Sequence, residues 1–264
     1  MRVRIIGSGS SGNVLYIEGG DTRVLIDVGL SGKETVRRLT ESEIDPASLD
    51  AVLLTHEHGD HARGASVFSR GLDLPVYTTP GTREACQFGR FEEKMRFVHV
   101  ESSESFQIGD LDFHPFAVPH DAVDSFALTI EHAGSKVAIV TDLGYIPQLV
   151  AERVRGADLL VLESNHDVEM LKVCAQYPWS LKQRVLSKHG HLSNDHVADF
   201  LERDFDGRAE HIVLAHLSKN TNHPDLARLV ALQALERRGP LFCTDAERRL
   251  TLAEQDAPGP WIEL

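Results

Sequence analysis

The chain has 264 residues, with 27 Lys plus Arg against 40 Asp plus Glu, a formal charge of −13, and 42% hydrophobic and 25% charged residues. These proportions belong to a folded globular protein and exclude disordered and fibrous classes, and the acidic balance argues against a non-specific nucleic-acid coat, which needs a basic surface. No apolar run approaches the roughly 20 residues of a spanning helix, Met1–Gly7 turns polar too soon for a signal peptide, and three scattered cysteines supply neither a disulfide framework nor a Cys-rich zinc site, so the expectation is a cytoplasmic protein without a membrane segment.

In chain order, Val3–Ile6, Val14–Ile17 and Val24–Ile26 read as strands separated by Gly-rich turns, and Gly32–Leu39 as a helix. Ala51–Thr55 is a continuous apolar run of the buried-strand type. Ala62–Arg70 reads as a helix, Pro75–Thr78 as a strand, and Pro80–Arg90 as a helix with Pro in its first turn. Phe97–Val100, Leu111–Val118 and Phe126–Glu131 are strands. The second half continues the alternation, with strand Lys136–Thr141, helix Ile146–Arg153, strand Asp158–Glu163, helices over Val168–Ala175, Ser180–Ser187 and Asn194–Phe205, strand Ile212–Ala215 and helix Pro224–Arg237. Short β-like pieces follow around Leu241–Thr244 and Arg249–Leu252. No linker interrupts this order, which predicts one domain over residues 1–264 with two β-rich layers flanked by helices.

The chemistry concentrates in His56-Glu57-His58-Gly59-Asp60-His61, directly after the strand Ala51–Thr55. A strand-to-helix turn can aim several of these side chains into one cavity, and imidazole with carboxylate suits Zn, Mn, Fe or Ni better than Ca. Further polar groups stand at strand ends: His120 after Val118-Pro119, Asp142 after Val140-Thr141, and His216 after Leu214-Ala215. Each alone is an ordinary cap or surface group; together with the first cluster they make six His and Asp groups and one potential bridging carboxylate.

Read together, His56, His58, Asp60, His61, His120, Asp142 and His216 resemble, in identity and order, the ligand set of the metallo-β-lactamase-fold hydrolases. The resemblance covers nearly the whole chain. It implies an α/β fold, a four-layer αββα sandwich with a two-metal centre at one edge. One cation would take His56, His58 and His120, the other Asp60, His61 and His216, with Asp142 bridging. A hydroxide held between two divalent ions would be the nucleophile, with Asp60 counted among the catalytic groups. An Asp at position 142, where the lactamase branch often carries Cys, resembles the phosphodiesterase and nuclease branches.

Two more stretches resemble the YycJ/WalJ type of exonuclease within that fold. One is Gly7-Ser8-Gly9-Ser10-Ser11-Gly12-Asn13, whose small residues, hydroxyls and amides (Ser10, Ser11 and Asn13) make either an anion cradle or a plain turn. The other runs from Glu163-Ser164-Asn165-His166-Asp167 through Tyr177-Pro178-Trp179 to Lys188-His189-Gly190-His191-Leu192-Ser193-Asn194. In relatives with a Gly-His-Ser-Thr-like segment the His meets the scissile phosphate. Here that implies phosphate contact and leaving-group protonation by His191, with Ser193 or Asn194 capping the next helix; a purely structural His191 is the alternative. His166 and His189 either line the pocket or support the ligands, and Asp27 either accepts an imidazole N–H or closes a turn.

The reading is a metal-dependent phosphodiester hydrolase with two divalent cations, a 5′-to-3′ exonuclease on DNA. The alternatives are a small-molecule phosphodiesterase acting on cyclic nucleotides or cyclic sugar phosphates, and a metal-bound regulatory module. Lys172, Lys182, Arg184 and Lys188 form either a phosphate track or a solvated helix face. The oligomeric state stays open, a homodimer being one option.

Overall fold

The apolar runs form strands whose alternate side chains feed different cores, as the two-residue period of a strand requires. In a computed structural model that describes residues 1–239 and 245–264, these strands make two seven-stranded sheets. The first holds β1 (Arg2–Gly7), β2 (Val14–Gly19), β3 (Thr22–Ile26), β4 (Ala51–Leu53), β5 (Pro75–Thr78) and β6 (Arg96–His99). The second holds β7 (Phe106–Ile108), β8 (Leu111–Ala117), β9 (Phe126–His132), β10 (Ser135–Val140), β11 (Leu159–Glu163), β12 (His211–Ala215) and β13 (Leu250–Leu252). The last strand, β14 (Ile262–Glu263), returns to the first sheet beside β1. The orders are β14-β1-β2-β3-β4-β5-β6 and β13-β12-β11-β10-β9-β8-β7. In each, antiparallel pairing at one side gives way to parallel pairing at the other: β3, β4, β5 and β6 run parallel, as do β10, β11, β12 and β13.

The helices are α1 (Gly32–Glu41), α2 (Gly59–Ala62), α3 (Ala65–Leu72), α4 (Pro80–Cys86), α5 (Gln148–Val154), α6 (Val168–Val173), α7 (Trp179–Val185), α8 (Asn194–Arg203), α9 (Pro224–Arg237) and α10 (Ala246–Arg249). Three apolar clusters define the layers. Between the sheets, Val3, Ile5, Ile17 and Val24 meet Phe113, Leu128, Ile139 and Val161. On the outer face of the first sheet, Ile6, Tyr16 and Leu25 pack with Leu39 of α1 and Phe68 of α3. On the outer face of the second, Ala138, Leu160, Leu162 and Leu214 pack with Val150 of α5, Leu201 of α8 and Ala231 of α9. Each fully buried Leu, Ile or Phe contributes about 1.5–3 kcal/mol of burial free energy. This is the expected αββα sandwich. No helix among the described residues is long and apolar enough to cross a membrane.

Several boundaries depart from the sequence reading for local reasons. The helix expected over Ala62–Arg70 is two helices, because the Gly64 amide bonds the Val28 carbonyl and the chain jogs there. The helix expected to run to Arg90 stops at Cys86, where Gln87 turns left-handed at φ 48°, and a 3₁₀ turn follows over Gly89–Lys94. The strand from Ala51 ends at Leu53, since the Thr55 amide bonds a side chain, Asp27 Oδ1, at 2.9 Å. The edge strands β7 and β14 were not expected. The expected piece Leu241–Thr244 lies outside the described residues.

Candidate metal centre

The polar clusters meet at one edge of the sandwich because the strands that carry them end there. The loop after β4 delivers His56, His58, Asp60 and His61; the segments after β8, β10 and β12 deliver His120, Asp142 and His216. Three residues of this edge, Asp27, Asp142 and His216, hold left-handed backbones at φ 61°, 62° and 56°. For residues with a Cβ this costs of order 1–3 kcal/mol each, and such strain gathers where side-chain aim matters more than backbone comfort. Gly29 serves the same end: a Cβ there would sit 1.6 Å from the Asp60 carbonyl oxygen, so only glycine lets the metal loop pack this closely.

Hydrogen bonds fix which imidazole nitrogens face inward. The Thr55 hydroxyl donates to Asp27 Oδ2 at 2.9 Å and so accepts from His56 Nδ1 at 3.1 Å. His61 Nδ1 donates to Asp27 Oδ2 at 2.7 Å, His120 Nδ1 to the Gly190 carbonyl at 3.2 Å, and His216 Nδ1 to Glu163 Oε1 at 2.7 Å. In all four the proton is held on Nδ1 and the Nε2 lone pair is turned to the centre, the arrangement a metal ligand needs. His58 presents its Nδ1 instead, 3.1 Å from His120 Nε2, with its Nε2 toward Asp121 Oδ1 at 3.7 Å.

Ligand atoms of His56, His58 and His120 lie within 4.8 Å of one another, as do those of Asp60, His61 and His216, and those of His56, His61 and Asp142. Two of the inward atoms, His56 Nε2 and Asp142 Oδ2, are buried without a hydrogen-bond partner. Asp142 Oδ2 stands 3.2 Å from His61 Nε2. A lone pair and a carboxylate oxygen at that distance require a proton or a cation between them. Burial opposes charge on His61 and His216, yet Asp142 with the other carboxylates raises both well above the ordinary imidazole range. Burial drives His56 and His120 the other way. Buried carboxylates, inward lone pairs and orphaned donors to a metal together fit divalent cations with N and O ligands.

Glu163 belongs to this centre, although the sequence reading names it within a motif and gives it no role. It is fully buried at the end of β11. Its Oε1 accepts from His216 Nδ1 and from His191 Nδ1, both at 2.7 Å, and its Oε2 accepts from the backbone amides of Leu143 and Leu192 at 3.2 and 3.0 Å. Burial works to raise its pKa, but His191 and His216 hold it down at about 2. Ligand atoms of Glu163, His191, Asp142 and His216 also fall within 4.8 Å of one another. The signal was present in the sequence: a strand apolar at every position, Leu159–Leu162, cannot end on an unpaired buried carboxylate.

The other singled-out residues scatter. His191 lines a cavity of about 290 Å³ with His58, Asp60, Asp142 and Arg184. With its Nδ1 bound to Glu163, its Nε2 remains for a ligand, and Glu163 raises its pKa despite burial. Asn13 is buried and reaches His61 Nε2 at 3.1 Å, while its Oδ1 accepts from the Ser8 hydroxyl. Ser10 and Ser11 are exposed and outside that cavity. Ser193 caps α8 by accepting from the His196 amide. His166 is buried with neither ring nitrogen partnered, and its pKa falls to about 4 through burial. His189 is exposed and outside the cavity.

Comparison with known proteins places the chain in a family. The family model described as "Beta-lactamase superfamily domain" matches residues 22–217. The chain is 37% identical over 238 residues to the exodeoxyribonuclease YycJ of Bacillus anthracis, covering 89% of each chain. The chain belongs to the metallo-β-lactamase superfamily. Within the superfamily it is of the YycJ/WalJ type, being also 37% identical over 235 residues to the exodeoxyribonuclease WalJ of Streptococcus pneumoniae, with 88% of this chain and 87% of that one covered. The metallo-β-lactamase-fold protein YhfI of Bacillus subtilis shares the fold at a TM-score of 0.72 and 18% identity, over 98% of this chain and 99% of the other. As a superfamily member with its His and Asp clusters in place, the protein is a metallo-hydrolase.

Proposed function

We propose that the protein is an exonuclease that hydrolyses phosphodiester bonds of DNA from the 5′ end, with two divalent cations (Zn, Mn, Fe or Ni) in the ligand set above. The observation that carries the reading is the seating of His191 at the cavity: Glu163 takes its Nδ1–H at 2.7 Å, so the ring offers Nε2 to the same space as Asp60 and Asp142. Such a group suits contact with a scissile phosphate and delivery of a proton to the leaving oxygen. The names of the two relatives at 37% identity point the same way. His56, His58 and His120 would hold one cation, Asp60, His61 and His216 the other, and Asp142 would touch both. When bound, the cations neutralise phosphoryl charge and acidify water for in-line attack.

The chain's own residues supply the rest. Asp27 and Glu163 orient His61 and His216 and compensate charge at the centre. The cavity, at about 290 Å³, is at the bottom of the roughly 300–1,000 Å³ range for ligand pockets. That size is of the order of one terminal nucleotide, in keeping with removal of residues from an end. The same reading puts the enzyme in the cytoplasm. The test is a panel with metal-loaded protein: 5′-labelled duplex and single-stranded DNA, RNA, a small cyclic nucleotide and bis-p-nitrophenyl phosphate. Mononucleotide release from DNA is the expected result. Turnover of the cyclic nucleotide with intact DNA would replace this reading by the small-molecule phosphodiesterase.

A further inference from the structure

Among the described residues, one Lys or Arg side chain lines the catalytic cavity: Arg184 of α7. Its neighbours in the basic run are elsewhere. Lys182 gives its Nζ to the Lys172 carbonyl at 2.8 Å, Lys172 pairs with Glu169 at 2.7 Å, and Lys188 is exposed outside the cavity. The Arg184 guanidinium grips Asp121 with both forks, Nε to Oδ2 and Nη2 to Oδ1, the latter at 3.2 Å. Asp121 Oδ1 in turn lies 3.7 Å from His58 Nε2 and 3.6 Å from His120 Nε2. The fork therefore stands one carboxylate away from the metal ligands. Close packing fixes the backbone of α7 against this edge: a Cβ on Gly190 would lie 2.4 Å from the Arg184 carbonyl oxygen, and the Gly190 carbonyl is itself the acceptor for His120 Nδ1.

Two properties make this pair exchangeable. Its side chains are 53% and 28% exposed, so water already screens it. A planar guanidinium fork also fits two phosphate oxygens as well as it fits two carboxylate oxygens. Among the described residues Arg184 is the one Lys or Arg side chain on a lining that also carries Asp60, Asp121 and Asp142, so a phosphate flanking the one at the cations would meet its positive charge there. We propose that Arg184 is a substrate-positioning residue that exchanges Asp121 for a phosphate flanking the scissile bond, so that it discriminates a polynucleotide end from an isolated phosphodiester. The inference rests on the nuclease reading and narrows the expected basic track to a single residue.

The experiment measures kcat/KM of the metal-loaded enzyme on a single-stranded oligonucleotide as a function of salt, and on bis-p-nitrophenyl phosphate in parallel. Arg184→Ala should lower kcat/KM on the oligonucleotide about 10- to 100-fold, the range for one lost charge-assisted hydrogen-bonding group. The loss on bis-p-nitrophenyl phosphate should be at least tenfold smaller. The log–log salt slope should fall by about 0.7, one phosphate contact on a single strand. Arg184→Lys should keep the slope while recovering only part of the rate, because the charge stays and the fork is lost. Lys182→Ala should keep the wild-type slope. An unchanged slope in Arg184→Ala, equal losses on both substrates, or loss of bound metal would overturn the inference and leave the nuclease reading standing. Wild-type turnover of bis-p-nitrophenyl phosphate without turnover of any DNA would overturn both.

Discussion

Replacing Glu163 by Gln keeps the side chain's shape and removes its charge. In the wild type four donors converge on its two oxygens, two imidazole N–H groups on Oε1 and two backbone amides on Oε2. A Gln amide can accept on one side only. Either it turns its NH₂ to the imidazoles of His191 and His216, or it turns it to the amides of Leu143 and Leu192. Two bonds are lost in each case, and at about 1.5–3 kcal/mol per bond to a charged group the cost is about 3–6 kcal/mol, a large part of the roughly 5–15 kcal/mol that holds a domain together. Loss of a partner that orients a ligand imidazole should also weaken metal binding about 10–100-fold. Urea denaturation in the presence of chelator measures the first effect, and competition against a chromophoric chelator measures the second. The sign of the pH dependence is fixed by the depressed pKa. Glu163 is held at about 2 against an ordinary 4.5, so its contribution is complete above 4.5 and is lost as pH falls towards 2. The stability gap between wild type and Glu163→Gln should therefore narrow below pH 4.5. A variant with wild-type urea midpoint and wild-type metal affinity would refute the role given to this carboxylate.

His191→Ala should lower phosphodiester turnover about 10²–10⁴-fold, the span for a lost proton donor, with metal content retained; metal loss on elemental analysis would make His191 a ligand instead. Metal loading near pH 7 should release protons, because the carboxylates raise His61 and His216 well above the ordinary imidazole range and each must give up its extra proton to coordinate. Calorimetry in buffers of different ionisation enthalpy reads this release, and apparent affinity should fall as pH drops. Heats independent of buffer would contradict the electrostatics described here.

The parts of the site that were legible in the sequence are those where a polar residue interrupts an apolar run. His56, Asp142 and His216 each follow within three residues of a strand whose last three residues are buried, so their exit from the sheet could be read from pattern alone. Glu163 ends β11 in the same way, yet a lone Glu after four aliphatic residues looks like an ordinary boundary until its four donors are seen in space. Those donors come from residues 143, 191, 192 and 216, which only the tertiary fold brings together. Arg184 and Asp121 were likewise separated by 63 positions, so their pairing carried no local signal. The edge strands β7 and β14 have three and two residues, too few to show a period, and exist because β8 and β1 offer free edges to pair with. His166 posed the opposite difficulty: its motif suggested either a pocket residue or a support for the ligands, whereas its ring is buried with neither nitrogen partnered and its backbone pairs with Ser193.

The most direct test of the central claim is a metal titration of chelator-treated protein followed by phosphodiester assay at each step. The proposed assignment of His56, His58 and His120 to one cation and Asp60, His61 and His216 to the other, with Asp142 shared, predicts saturation at about two divalent ions per chain. Activity should appear only as the second site fills. Full activity with saturation at one ion per chain would contradict the shared role of Asp142 and, with it, the two-cation account of the reaction.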